Sequence, residues 1–132
     1  STPGQFTYTV QVTDAVTTCT TSDSKTYTIN PSPSISLGPV VNPNCGASTG
    51  SFSFTENGVS TGPFSYTVSG PVAVPPGVDR PNAFTVNTGA ILSAGTYAIV
   101  VTDQISQCAT LQTVGVSNPN FTLAAAQTKT CA

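Results

Sequence analysis

The sequence has no His, no Trp and no Met, and its charge is confined to three Lys or Arg and five Asp or Glu in 132 residues. Without His or a close pair of carboxylates there is no ordinary general acid or base. Its many Ser and Thr hydroxyls have no evident base to activate them. An enzyme is therefore not expected, and no cofactor is implied. There is no C-x-x-C pair, so a zinc site would lack ligands. The few cations leave no electrostatic footprint for nucleic acid or an anionic membrane. No apolar run approaches the ~20 residues that span a bilayer, so membrane insertion is not expected. No signal peptide opens the chain, and we expect an internal piece of a longer secreted polypeptide.

What replaces the charge is hydroxyl: Ser and Thr fill 38 positions, beside 11 Gly and 11 Pro. Thr suits a pleated strand, since its branched Cβ favours the extended backbone while its hydroxyl stays wet. Apolar and polar residues alternate with period two in Phe6–Val12, Phe52–Phe54, Phe64–Val68, Phe84–Val86, Tyr97–Val101, Val114–Val116 and Phe121–Leu123. Those apolar positions are the expected core. Between them stand turn formers such as Glu56-Asn57-Gly58, Pro75-Pro76-Gly77 and Asn87-Thr88-Gly89. Gly and Asn tolerate positive φ, and Pro presets a turn. The fold expected is all-β: immunoglobulin-like antiparallel sandwiches.

One pattern organises the rest. Tyr8-Thr9-Val10-Gln11-Val12-Thr13-Asp14, with Cys19 five residues after the Asp, returns as Tyr97-Ala98-Ile99-Val100-Val101-Thr102-Asp103, with Cys108 again five after. Asn30-Pro31 and Cys45 are likewise answered by Asn118-Pro119 and Cys131. Recurrence at a fixed spacing marks a tandem array. The expected division is the C-terminal part of one sandwich with its linker in residues 1–45 and a second sandwich in 46–132, with an alternative boundary near 33/34.

Four recurring cysteines read as two disulfides in an oxidising, extracellular setting. A turn falls midway between Cys19 and Cys45 and another midway between Cys108 and Cys131. Equal arms predict Cys19–Cys45 and Cys108–Cys131, each contributing on the order of 3 kcal/mol. Cys45–Cys108 is the rival pairing. Asp14 and Asp103 are expected to cap turns rather than to bind calcium, which wants six to eight oxygens. Tyr97 is expected in the core with its hydroxyl on backbone. Asn120-Phe121-Thr122 matches the N-glycosylation pattern. Lys25 and Lys129 are candidates for side-chain crosslinks to Asn, a role less expected where disulfides are available.

Gly95-Thr96-Tyr97-Ala98-Ile99-Val100-Val101-Thr102-Asp103 followed by Cys108 resembles the G-T-Y-x-V-x-V-T-D-x-x-G-C signature of SprB-type repeats. These occur in large cell-surface adhesins of gliding Bacteroidetes and are similar to PKD-type modules. Asn42-Pro43-Asn44-Cys45-Gly46, leading through Gly50 to Ser51-Phe52-Ser53-Phe54, resembles the family's opening, and Gly62-Pro63-Phe64-Ser65-Tyr66 its G-x-x-P-Y-x-Y strand. The chain departs at Gln107 and Thr18, where the family has Gly. It also lacks the family's Trp and carries a longer insertion at Pro71–Pro81. The resemblance implies a surface-anchored polymer of β-sandwich repeats, exported by a type IX system.

Two functions are therefore expected. The first is a spacer in an extracellular adhesin stalk or filament, whose partners are neighbouring repeats of the same polypeptide or other copies in a fibre. The second is a module binding surface glycans through the 71–81 loop, where Asp79 and Arg80 are the candidate ligand residues.

Overall fold

The structure is a computed structural model that describes residues 2–45, 47–58 and 62–118. Among these residues all regular structure is strand, with no helix: β1 (Gly4–Thr13), β2 (Thr20–Ile29), β3 (Ile35–Val41), β4 (Ser51–Glu56), β5 (Phe64–Ser69), β6 (Val74–Arg80), β7 (Thr85–Asn87), β8 (Gly95–Asp103) and β9 (Ala109–Val116). All pairings are antiparallel and form three sheets, ordered β1-β2, β3-β4-β7 and β6-β5-β8-β9.

The second and third sheets face each other across one core, as in a sandwich. Alternation in β4 drives Phe52 and Phe54 inward, and alternation in β8 does the same for Tyr97, Ile99 and Val101. Ring contacts bridge the sheets, Phe52 to Tyr97 at 5.7 Å and Phe54 to Tyr66 at 5.5 Å between centroids. Phe64, Phe84, Leu92, Val114 and Val116 complete the apolar filling. Full burial of such a side chain contributes about 1.5–3 kcal/mol, so the aromatic layer is the main source of cohesion. β3 joins this unit by pairing with β4, from Ile35↔Glu56 to Val41↔Ser51, so residues 35–41 share a sheet with residues 51–56.

The segment from Pro71 to Pro81, expected to be a loop, is largely β6. It pairs with β5 at Phe64↔Arg80, Tyr66↔Gly77 and Val68↔Val74, with register breaks between them. Pro75 and Pro76 donate no amide, which confines this strand to the edge of its sheet. Gly77 is required where it lies, because a Cβ there would run into the Tyr66 ring.

The expected core residues Phe6, Tyr8, Val10 and Val12 are not buried. All four lie on one face of β1, as alternation requires, yet Tyr8 is 64 % exposed while Tyr97 is 0 % exposed. Alternation determines which side chains share a face and is silent on whether anything covers it.

The expected Cys19–Cys45 bridge is absent, and among the described residues Cys19, Cys45 and Cys108 are free thiols. The reason lies in the pairing. β2 is hydrogen-bonded to β1 and β3 to β4, so the chain does not fold back on itself about Ser32 to unite the two sulfurs. The rival Cys45–Cys108 is absent as well. Cys131, Lys129, the Asn120 glycosylation motif and the Phe121–Leu123 strand lie outside the described residues.

Candidate functional site

Two hairpins, β1–β2 and β8–β9, close with the same turn. The amide of Asp14 donates to the Cys19 carbonyl and that of Thr18 to the Asp14 carbonyl, both at 2.9 Å; Asp103 to Cys108 and Gln107 to Asp103 repeat these bonds at 2.9 Å. The aspartate side chains act alike. Asp14 Oδ1 accepts from the amides of Val16 and Thr17 at 2.8 and 2.9 Å, and Asp103 Oδ1 from those of Ile105 and Ser106 at 2.8 and 3.0 Å. These bonds hold the Asp14 carboxyl below its ordinary range, the Thr17 amide first and the Val16 amide next. The carboxylates are thus engaged in shaping turns. Among the described residues no three His, Cys, Asp or Glu gather to hold a metal ion.

The connection between β2 and β3 is gripped from two sides. Thr110 Oγ1 donates to the Pro33 carbonyl at 2.5 Å, and Cys108 Sγ lies 3.9 Å from the Asn30 carbonyl. Opposite, the Asn57 amide donates to the Ser34 carbonyl at 3.2 Å, Ser34 Oγ to Asn57 Oδ1 at 2.7 Å, and Asn57 Nδ2 to Ser36 Oγ at 2.9 Å. Pro33 is buried between them. The Glu56-Asn57-Gly58 turn that contributes this second grip is itself stiffened. Buried Glu56 accepts from the amides of Gly58 at 2.7 Å and Ala83 at 3.1 Å. Such a linker couples the hairpin β1–β2 to the sandwich through several bonds rather than through a swivel.

The faces of the two hairpins correspond when aligned on their turns. The pairs Val12↔Thr21, Val10↔Asp23, Tyr8↔Lys25 and Phe6↔Tyr27 take the places of Val101↔Thr110, Ile99↔Gln112, Tyr97↔Val114 and Gly95↔Val116. The second set is packed against Phe52 and its neighbours, with Tyr97, Ile99, Val101, Val114 and Val116 buried. The first set is open. Tyr8 and Tyr27 meet edge to face at 5.8 Å, and with Val10 and Lys25 they line a shallow depression.

Of the residues singled out from sequence, Tyr97 is placed as expected, its ring in the core and its hydroxyl donating to the Ser93 carbonyl at 3.0 Å. Asp79 and Arg80 end β6 and are exposed. The Arg80 guanidinium lies over the Tyr66 ring, 5.8 Å from its centre, a packing contact that also occupies the cation. Nothing in the sequence singles out Ser34 or Thr110, and Asn57 reads there only as part of a turn. The only signal for them was the recurrence of Asn-Pro at residues 30–31 and 118–119, which marks the linker but not what holds it.

Compared with protein-family models, curated proteins and solved structures, the chain matches none.

Proposed function

We propose that this chain is a spacer in an extracellular adhesin stalk or surface filament, built from immunoglobulin-like sandwich modules in tandem. The boundary is taken at the alternative 33/34 rather than after residue 45, because β3, from Ile35, pairs with β4. The observation that carries the reading is the recurrence of one turn, bond for bond, at Asp14–Cys19 and Asp103–Cys108, with a gripped linker between. A stalk needs units that repeat and joints that resist bending, and the recurring turn and the bonded linker support that reading. A surface of Ser and Thr with few charges is little affected by salt, which suits an exposed position in variable surroundings.

The test is made on intact cells of the organism that encodes the chain. Protease shaving without lysis is expected to release peptides spanning 34–118, and their recovery only after lysis would overturn the reading. The alternative, glycan recognition by the 71–81 segment, finds less support. That segment is an edge strand and Arg80 is packed on Tyr66. Loss of glycan-array binding on Arg80→Ala would favour it over a passive spacer.

A further inference from the structure

We infer that the β1–β2 hairpin is an acceptor: its apolar face and the free edge of β1 take a unit of the β3–β7 kind, carried ahead of it in the same polypeptide. The inference rests on the tandem reading above and adds the occupant, the surface and the register.

Three observations converge on that occupant. The open face, with Tyr8, Val10, Val12 and Tyr27, takes the turn-aligned positions of Tyr97, Ile99, Val101 and Val116. The latter four are at most 3 % exposed, covered by a sheet that presents Phe52 and Phe54. The edge of β1 tells the same story. β8 is paired on both sides, with β9 and with β5, whereas among the described residues β1 is paired only with β2. A ten-residue strand with one side of its backbone unpaired is a template for strand addition. The turn, thirdly, has the gripping groups. Thr21 and Cys19 stand where Thr110 and Cys108 reach the linker that enters their own sandwich.

The register follows from β5 and β8, where Phe64 opposes Asp103, Tyr66 opposes Val101 and Val68 opposes Ile99. The incoming strand would set its counterparts of Phe64, Tyr66 and Val68 opposite Asp14, Val12 and Val10. Two positions differ in kind: Phe6 stands where Gly95 lies close against Pro71, and Lys25 stands where Val114 is buried. Its methylenes can cover apolar surface while the ammonium reaches the rim, and Asp23 lies two residues away on the same face of β2. A second copy docking face to face would bring two such lysines into one interface and leave both β1 edges unpaired, and one docking edge to edge would leave the apolar face open. The β3–β7 unit satisfies edge and face together.

The experiment fuses a second copy of residues 34–94 directly ahead of Thr2 in the full chain and follows backbone amide exchange in β1–β2. In the 132-residue chain these amides should exchange far faster than those of β8–β9, because a lone two-stranded hairpin is marginal in water. In the fusion their protection should rise ~100-fold or more, as for a strand drawn into a global core. A matched fusion with both counterparts of Phe52 and Phe54 changed to Ser should abolish the gain. The added segment folds on β8–β9 in its original setting, so its failure to order on β1–β2 is itself failure of the hairpin as acceptor. Unchanged protection overturns the proposal, and so does dimerisation of the unfused chain that protects Tyr8 and Tyr27. Either result leaves the surface-shaving test of the spacer reading to stand or fall independently.

Discussion

Thr18 and Gln107, 89 residues apart, hold the same left-handed backbone angle, φ 58° and 59°. Each is the residue just before a turn cysteine, and each donates its amide to the carbonyl of the aspartate that opens the turn. L-residues pay for this conformation through the closeness of Cβ to the following carbonyl. Gly would occupy this place without that steric cost.

Gln107→Gly should therefore stabilise the sandwich. Relief of the left-handed conformation, about 1–2 kcal/mol, is partly offset by the added freedom of Gly in the unfolded chain, about 0.4–1 kcal/mol. Loss of the bond from Gln107 Nε2 to the Gln104 carbonyl reduces the gain further. A net gain of roughly 0.5 kcal/mol in urea denaturation is expected. Gln107→Val should move the midpoint the other way, since a β-branched residue fits positive φ worst.

The Asp14 turn should respond to acid. Its carboxyl is held below the ordinary value by the amides of Thr17 and Val16, so the folded hairpin binds its proton less readily than the unfolded chain does. The stabilisation is present above the unfolded value, near 3.9, and is lost as pH falls through the lower folded value. Amide shifts of Val16 and Thr17 should move together with the Asp14 carboxyl in an NMR titration. Asp14→Asn keeps an acceptor oxygen but removes the titration, and persistence of the shift changes in that variant would contradict the assignment.

The free cysteines predict a labelling pattern. Cys19 and Cys45 are exposed and Cys108 is partly covered beside Asn30 and Ser106. Maleimide should modify Cys19 and Cys45 in the native chain and Cys108 more slowly. Non-reducing peptide maps should contain no Cys19–Cys45 crosslink, and finding one in quantity would show that the linker folds back after all.

Six of the nine described strands, β1, β4, β5, β7, β8 and β9, were legible because apolar residues alternate along them. Phe52 with Phe54, Phe64 with Tyr66, and Tyr97 with Ile99 announce both a strand and a face. Three strands were not. β2 reads Thr-Thr-Ser-Asp-Ser-Lys-Thr-Tyr-Thr-Ile, with Asp23 and Lys25 on the face where apolar residues were sought. β3 is broken by Gly38-Pro39, which coincides with a register shift between Leu37 and Val40. β6 contains Pro75-Pro76-Gly77, composition that ordinarily marks a turn and here marks an edge. The turn chemistry of Asp14 and Asp103 was legible because a local motif needs only its own residues. The grip on the linker was not, since it joins Pro33 to Thr110 and Ser34 to Asn57, and nothing local encodes those meetings.

The two glycines that face tyrosine rings give the sharpest test of the core. A Cβ on Gly77 would collide with the Tyr66 ring, and one on Gly70 with the Tyr97 ring. Neither ring is free to retreat. Tyr66 is also packed against Phe54 and Phe84, and Tyr97 is fixed by Phe52 and by its hydroxyl bond to Ser93. Gly77→Ala and Gly70→Ala should each cost about 1–3 kcal/mol through overpacking. Gly115→Ala makes the control, because its strand position opens onto empty space, and should be neutral or slightly stabilising. Equal midpoints for all three variants in urea would mean that β6 does not lie against Tyr66, and the edge-strand assignment of residues 74–80 would fail with it.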